Sequence, residues 1–93
     1  MLLLISYDLA SVVRPQKVEE LHAAITGSAQ ATLRPLHSGW FVQTEEDVEV
    51  WGNRLKELLA PEDRLVIVRV QSAASLNGWL TPAQWEWIRE RAT

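Results

Sequence analysis

The chain has 93 residues, a net charge of −3 and no cysteine. This length fits a single domain covering residues 1–93, and the lack of cysteine excludes disulfide bonds and thiolate metal sites. The acidic balance disfavours a broad nucleic-acid-binding surface, which needs clustered lysine and arginine. Because a chain of this size buries only a modest core, dimerisation is a common way for it to gain stability.

The apolar N-terminal stretch, MLLLISYDL, is typical of neither a signal peptide nor a membrane span. It lacks the basic residues and the small-residue cleavage site of a secretory signal. No apolar run in the sequence approaches the roughly 20 residues that cross a bilayer. We therefore expect a cytoplasmic protein with no membrane partner.

The first two predicted elements are a strand and a helix. Residues 2–8 are short, apolar and aliphatic, which is typical of a buried strand. Pro15 suits the first position of a helix, and apolar residues then recur at helical spacing. The pattern predicts a helix at 15–26 that ends at Gly27.

Two strands are predicted next, at residues 32–36 and 40–42. Pro35 favours an edge position for the first of them, because proline cannot donate to a neighbouring strand. Ser38 and Gly39 form the turn signal between them, and the aromatic and branched residues that follow favour a strand.

The next predicted elements are a helix at 45–59 and a strand at 63–70. Thr44 followed by Asp47 resembles an N-terminal capping pattern, and an apolar stripe follows it. The aliphatic run of the strand is continuous, so we expect this strand to be central and covered on at least one face.

A short C-terminal helix is predicted from Thr81 to about Ala92, because the stretch TPAQ carries a cap, an N1 proline and an N3 glutamine. Trp85 and Trp87 lie about 200° apart around such a helix. A helix with tryptophan on two sides is expected to contact more than its own core, and a second chain is one explanation.

The order strand, helix, strand, strand, helix, strand predicts an α+β, ferredoxin-like βαββαβ fold with a short C-terminal helix added. This fold has a four-stranded antiparallel sheet with both main helices on one face. The other face is then expected to contact water or a partner.

Asp8 is the main candidate for chemistry. It ends the first strand, where a rigid element can present a functional group. The alternative is that Asp8 caps the following turn by accepting backbone N–H groups. A metal site would need further oxygen ligands, and a two-fold dimer would supply a second Asp8.

Each of the other candidate residues has a functional interpretation and a simpler alternative. Arg14 and Arg34 are placed to meet phosphates or are solvated surface arginines. His37 beside Ser38 suggests a base and a nucleophile, but the third group of such a site is missing.

Aromatic residues and the remaining histidine point to structure rather than chemistry. Trp40 and Trp51 fall on apolar faces, where tryptophan is more often core than a platform for nucleobases. His22, on the first helix, is expected to face solvent.

The motifs together resemble a known family. An aliphatic strand ending in Tyr7 and Asp8, followed by a helix and then by Arg34, Ser38 and Trp40, is similar to the CRISPR-associated Cas-two superfamily. EDRLVIVRV is similar to the fourth strand of that family. The S-x-W-x-V-x-T stretch at residues 38–44 looks closest to the SinR-like branch of that family.

The resemblance covers residues 1–70 and implies a ferredoxin-like homodimer. Members of this family are metal-dependent nucleases or non-catalytic scaffolds, and related toxins cleave RNA. By this resemblance Asp8 is the ligand of a Mg²⁺ or Mn²⁺ ion and a catalytic residue, and Arg34 matches an arginine linked to activity. The residues then expected to contact a nucleic-acid substrate are Arg14, Ser38 and Trp40.

The chain also departs from the family. Leu36 stands where the family has glutamine, and a Trp-rich helix replaces the short final strand that many members donate to their partner. Two hypotheses follow: a homodimeric, metal-dependent endonuclease acting on RNA or DNA, or a non-catalytic dimeric interaction or scaffold module.

Overall fold

The computed structural model describes residues 1–10 and 15–92 and confirms the ferredoxin-like fold. Its elements are β1 (Leu2–Asp8), α1 (Pro15–Ser28), β2 (Ala31–Leu36), β3 (Gly39–Gln43), α2 (Val48–Lys56), β4 (Arg64–Val70) and α3 (Pro82–Arg91). A 3₁₀ turn at Ala73–Ser75 precedes α3. The four strands form an antiparallel sheet in the order β2-β3-β1-β4. No helix in the described ranges is long and apolar enough to cross a membrane.

One face of the sheet packs against α1 and α2. Alternate residues of β1 point to this face, as the two-residue period of a strand requires. The buried residues of this first core are Leu3, Ile5, Tyr7, Leu21, Ile25, Trp40, Val42, Trp51 and Leu55. The expected core positions of Trp40 and Trp51 are therefore confirmed.

The opposite face is covered at one end only, by α3 and the segment before it. The second core consists of Leu2, Phe41, Val70, Ile88 and Ala92. It lies at the end of the sheet where Leu2 pairs with Val70. The expectation that this whole face contacts water or a partner is therefore wrong for that end, because the chain covers it with its own C-terminal helix.

The other end of this face is open to solvent. Val66 is 57% exposed and Val68 is 49% exposed. Val66 pairs with Ser6 and Arg64 pairs with Asp8 across the two strands. We call these five residues, Ser6, Asp8, Arg64, Val66 and Val68, the uncovered strip.

Both tryptophans of α3 contact the second core of their own chain. Ile88 is fully buried and lies between Trp85 and Trp87 around the helix, since each residue advances about 100°. The core therefore receives a wide arc of α3 with both rings at its borders. Tryptophan on two sides of this helix does not require a second chain.

The helix bounds differ from the expected ones. α1 continues past Gly27 to Ser28. α2 starts three residues later than expected, because Asp47, not Thr44, is its cap, and it ends at Lys56 instead of at residue 59. The Asp47 side chain accepts hydrogen bonds from the N–H groups of Glu49 and Val50.

β4 is an edge strand, so its expected central position is wrong. Its aliphatic run is continuous because Leu65 and Ile67 pack against the first core while Val66 and Val68 face the uncovered strip. β2 is the other edge strand, as Pro35 predicted.

Candidate functional site

Asp8 is the exposed last residue of β1, at the end of the uncovered strip. It lies directly opposite Arg64, but the two side chains form no ion pair. Arg64 Nη1 instead donates to the carbonyls of Pro61 at 3.2 Å and Asp63 at 2.9 Å. Among the described residues, none donates a hydrogen bond to the Asp8 carboxylate, and the side chain is exposed.

The aspartate that stabilises the nearby loops is Asp63. One of its carboxylate oxygens accepts the Ala10 N–H at 2.8 Å, and the other accepts the Ala60 N–H at 2.8 Å. This is the turn role that was the alternative for Asp8. Sequence reasoning passed over Asp63, although an aspartate two residues after Pro61 in a short connection is a usable turn signal.

Arg34 lies on the face of the sheet that α1 covers. Its guanidinium carbon is 5.4 Å from the centre of the Trp40 ring. Its Nε and Nη2 both donate to the His37 carbonyl, at 3.1 and 2.6 Å. Because Trp40 belongs to the first core and Asp8 points to the opposite face, one protomer does not bring Asp8 and Arg34 together.

His22 lies beside Tyr7 and Trp40, although the sequence pattern indicated that His22 faces solvent. Its Nε2 is 2.6 Å from the Tyr7 hydroxyl, and its ring centre is 5.2 Å from that of Trp40. The pKa of His22 is lowered by partial burial first, and then by the positive charges of Arg34 and His37. The expectation fails because His22 follows the buried Leu21 and is carried against the sheet.

The remaining candidates are placed as follows. The Ser38 side chain is exposed, and its backbone carbonyl accepts the Tyr7 N–H at 3.1 Å. No hydrogen bond joins it to the His37 ring within the described part of the chain. Trp40 is only 6% exposed, so its ring is a core group covered by Arg34. Arg14 lies outside the described residues.

The candidate ligand for a divalent cation in one protomer is Asp8. The described residues contain no group of three histidine, cysteine, aspartate or glutamate side chains that could hold a metal. Mg²⁺, however, is usually bound by one or two carboxylates, with water and phosphate oxygens completing the shell. The exposed hard oxygens of Asp8 fit this ligand set if a second copy contributes its own Asp8.

Comparison with models of known protein families gives no match to this chain. A comparison with curated proteins gives none either. Functional proposals therefore depend on the geometry of the residues described above.

Proposed function

We propose that the chain functions in the cytoplasm as a Cas-two-like homodimer joined through the uncovered strip, and that its two Asp8 residues make it a metal-dependent endonuclease for RNA or DNA. The observation that supports this most directly is the Asp8 carboxylate. It ends a rigid strand, is exposed beside an apolar surface, and is engaged by no described residue.

The uncovered strip suits a second copy of the same chain. Val66 and Val68 are about half exposed on an edge strand, and burying the remainder of each side chain contributes on the order of 1 kcal/mol. The strip also carries one acidic and one basic residue, Asp8 and Arg64. An isologous interface places such a surface against itself, so that a residue near the two-fold axis, here Asp8, lies beside its own copy.

In this dimer the chemistry would come from the paired carboxylates. Two aspartates brought together repel each other, and a cation between them removes that repulsion. When bound, Mg²⁺ or Mn²⁺ supplies charge neutralisation at the phosphate and lowers the pKa of a water molecule. Asp8 would hold the ion, and the pairing of β1 with β4 fixes the backbone of Asp8 in place.

The test compares wild type with Asp8→Asn in cleavage assays on RNA and on DNA, with Mg²⁺, with Mn²⁺ and with a chelator. We expect metal-dependent cleavage in the wild type and only background cleavage in Asp8→Asn. Glu62→Gln is the matched control, because Glu62 is an exposed acid outside the strip. Equal cleavage by wild type and Asp8→Asn, or none by wild type, would refute the nuclease.

A second candidate is a non-catalytic dimeric interaction or scaffold module. The observation that favours it is the position of Arg34, which lies on the face of the sheet opposite to Asp8. In this candidate Asp8 of each copy pairs with Arg64 of the other and does not hold a metal.

A charge-reversal experiment separates the two candidates. Asp8→Arg should weaken the dimer, and adding Arg64→Asp should restore it if the two residues pair across the interface. Sedimentation over a range of concentrations measures this, with Val66→Asp as a variant that should dissociate the dimer in either candidate. A wild type that stays monomeric throughout contradicts both.

A further inference from the structure

A cluster of aromatic and basic side chains lies on the helix-covered side of the sheet, away from the uncovered strip. It consists of the side chains of Tyr7, His22, Arg34 and Trp40 together with the backbone carbonyl of His37, and we call it the Arg34 cluster. Its members come from β1, α1, β2, the following turn and β3. The Trp40 ring connects them, with His22 5.2 Å from it on one side and the Arg34 guanidinium 5.4 Å from it on the other.

The Arg34 side chain is held in place by hydrogen bonds that use only some of its N–H groups. Its Nε and Nη2 share the His37 carbonyl, and its guanidinium lies against Trp40. Nη1 donates to no described residue. The ion pairs found within residues 1–10 and 15–92 do not include Arg34. A guanidinium that is already oriented and has a free N–H group is well suited to a phosphate oxygen.

A second donor in the cluster also lacks an acceptor. The indole N–H of Trp40 is buried, and no described group accepts its hydrogen bond. A buried donor left in this state costs about 1–3 kcal/mol, and such groups are rare in native proteins. Arg34 covers the Trp40 ring and is itself exposed, so a ligand that binds the guanidinium lies beside this ring.

The electrostatics of the cluster favour a negatively charged ligand. Partial burial is the main cause that lowers the pKa of His22, and the electrostatic interactions with Arg34 and His37 lower it further, so the cluster disfavours another positive charge. The Tyr7 hydroxyl faces His22 from β1. An anion placed here would compensate the charge on Arg34, which is one of the causes that lower the pKa of His22.

We propose that the Arg34 cluster binds a phosphate monoester, with Arg34 as the main ligand and His22 and the Trp40 indole as further donors. A dianionic phosphate suits a permanent cation that has further polar donors beside it. The site lies across the sheet from Asp8, so it can fail or succeed independently of the proposed nuclease and of the dimer.

The experiment follows the indole N–H resonances of the whole protein by NMR during titration with inorganic phosphate, phenyl phosphate or sodium chloride at equal ionic strength. We expect saturable shifts of the Trp40 indole signal with both phosphates, and affinity reduced at least tenfold in Arg34→Gln. Arg89→Gln is the control, because Arg89 is an exposed arginine on α3. Shifts that sodium chloride reproduces, or that persist in Arg34→Gln, overturn the proposal.

A second titration tests whether His22 takes part in binding. It uses sulfate, whose charge is constant over the pH range in which histidine titrates. Histidine gains its charge between about pH 8 and pH 5, so sulfate should bind severalfold more tightly at the acidic end. His22→Gln should remove part of this pH dependence while Arg34 still binds. Equal affinity at both ends of the range would exclude His22 as a ligand and overturn the site as proposed.

Discussion

Replacing Ile88 by alanine tests whether α3 closes the second core of its own chain. Ile88 is fully buried between α3 and the sheet. The substitution removes three carbon atoms, worth about 2.4 kcal/mol at ~0.8 kcal/mol each. The remaining cavity adds to this, and measured values for such changes are about 2–5 kcal/mol. For a chain of 93 residues, the total free energy of unfolding is about 5–14 kcal/mol.

Urea unfolding followed by circular dichroism measures this loss, and we expect about 2.5–4 kcal/mol. Glu86→Ala on the exposed side of α3 is the control, with a change below about 0.5 kcal/mol. A loss for Ile88→Ala below about 1 kcal/mol would refute the packing of α3 on the sheet. A loss that depends strongly on protein concentration would show that α3 packs on a second copy instead.

Three further predictions concern polar groups. Asp63→Ala leaves two loop N–H groups without their acceptor, so urea unfolding should show a loss of about 1–3 kcal/mol; a loss no larger than that of Glu62→Ala would contradict it. Thr44→Val removes the buried acceptor of the Trp51 indole, and the free energy of unfolding should fall by about 1–2 kcal/mol; an unchanged unfolding midpoint would refute this role. The lowered pKa of His22 means that the unfolded chain binds more protons just below the ordinary histidine pKa. Stability should therefore decrease as the pH falls below about 6.5, and His22→Gln should reduce that slope; the same slope in both proteins would contradict the assignment.

Local patterns in the sequence were sufficient to predict the elements and their order. The strand at residues 2–8 was predicted with its observed bounds, and the capping box at Thr81 and Gln84 was predicted at the start of α3. These features depend on hydrogen bonds and periodicities within a few residues. The order of the strands and helices then leads to the ferredoxin-like fold, because few topologies accommodate it.

The candidate site was only partly accessible from the sequence. Asp8 could be recognised as a strand-end carboxylate, but its availability depends on Arg64 donating to loop carbonyls instead. The aspartate that accepts hydrogen bonds from loop N–H groups is Asp63, and its partner Ala10 lies more than fifty residues away in the sequence. Hydrogen bonds over such separations are set by how the loops meet in space and have no local signature.

The sequence by itself determined which residues alternate toward and away from the sheet, and thus that Tyr7 and Asp8 point to opposite faces. Only the tertiary structure decided what meets those faces. It placed α3 over one end, left Val66 and Val68 exposed at the other, and brought His22 to Tyr7. The reason is that strand pairing and helix docking depend on the registers and packing of distant segments, and these set which side of the sheet receives Arg34.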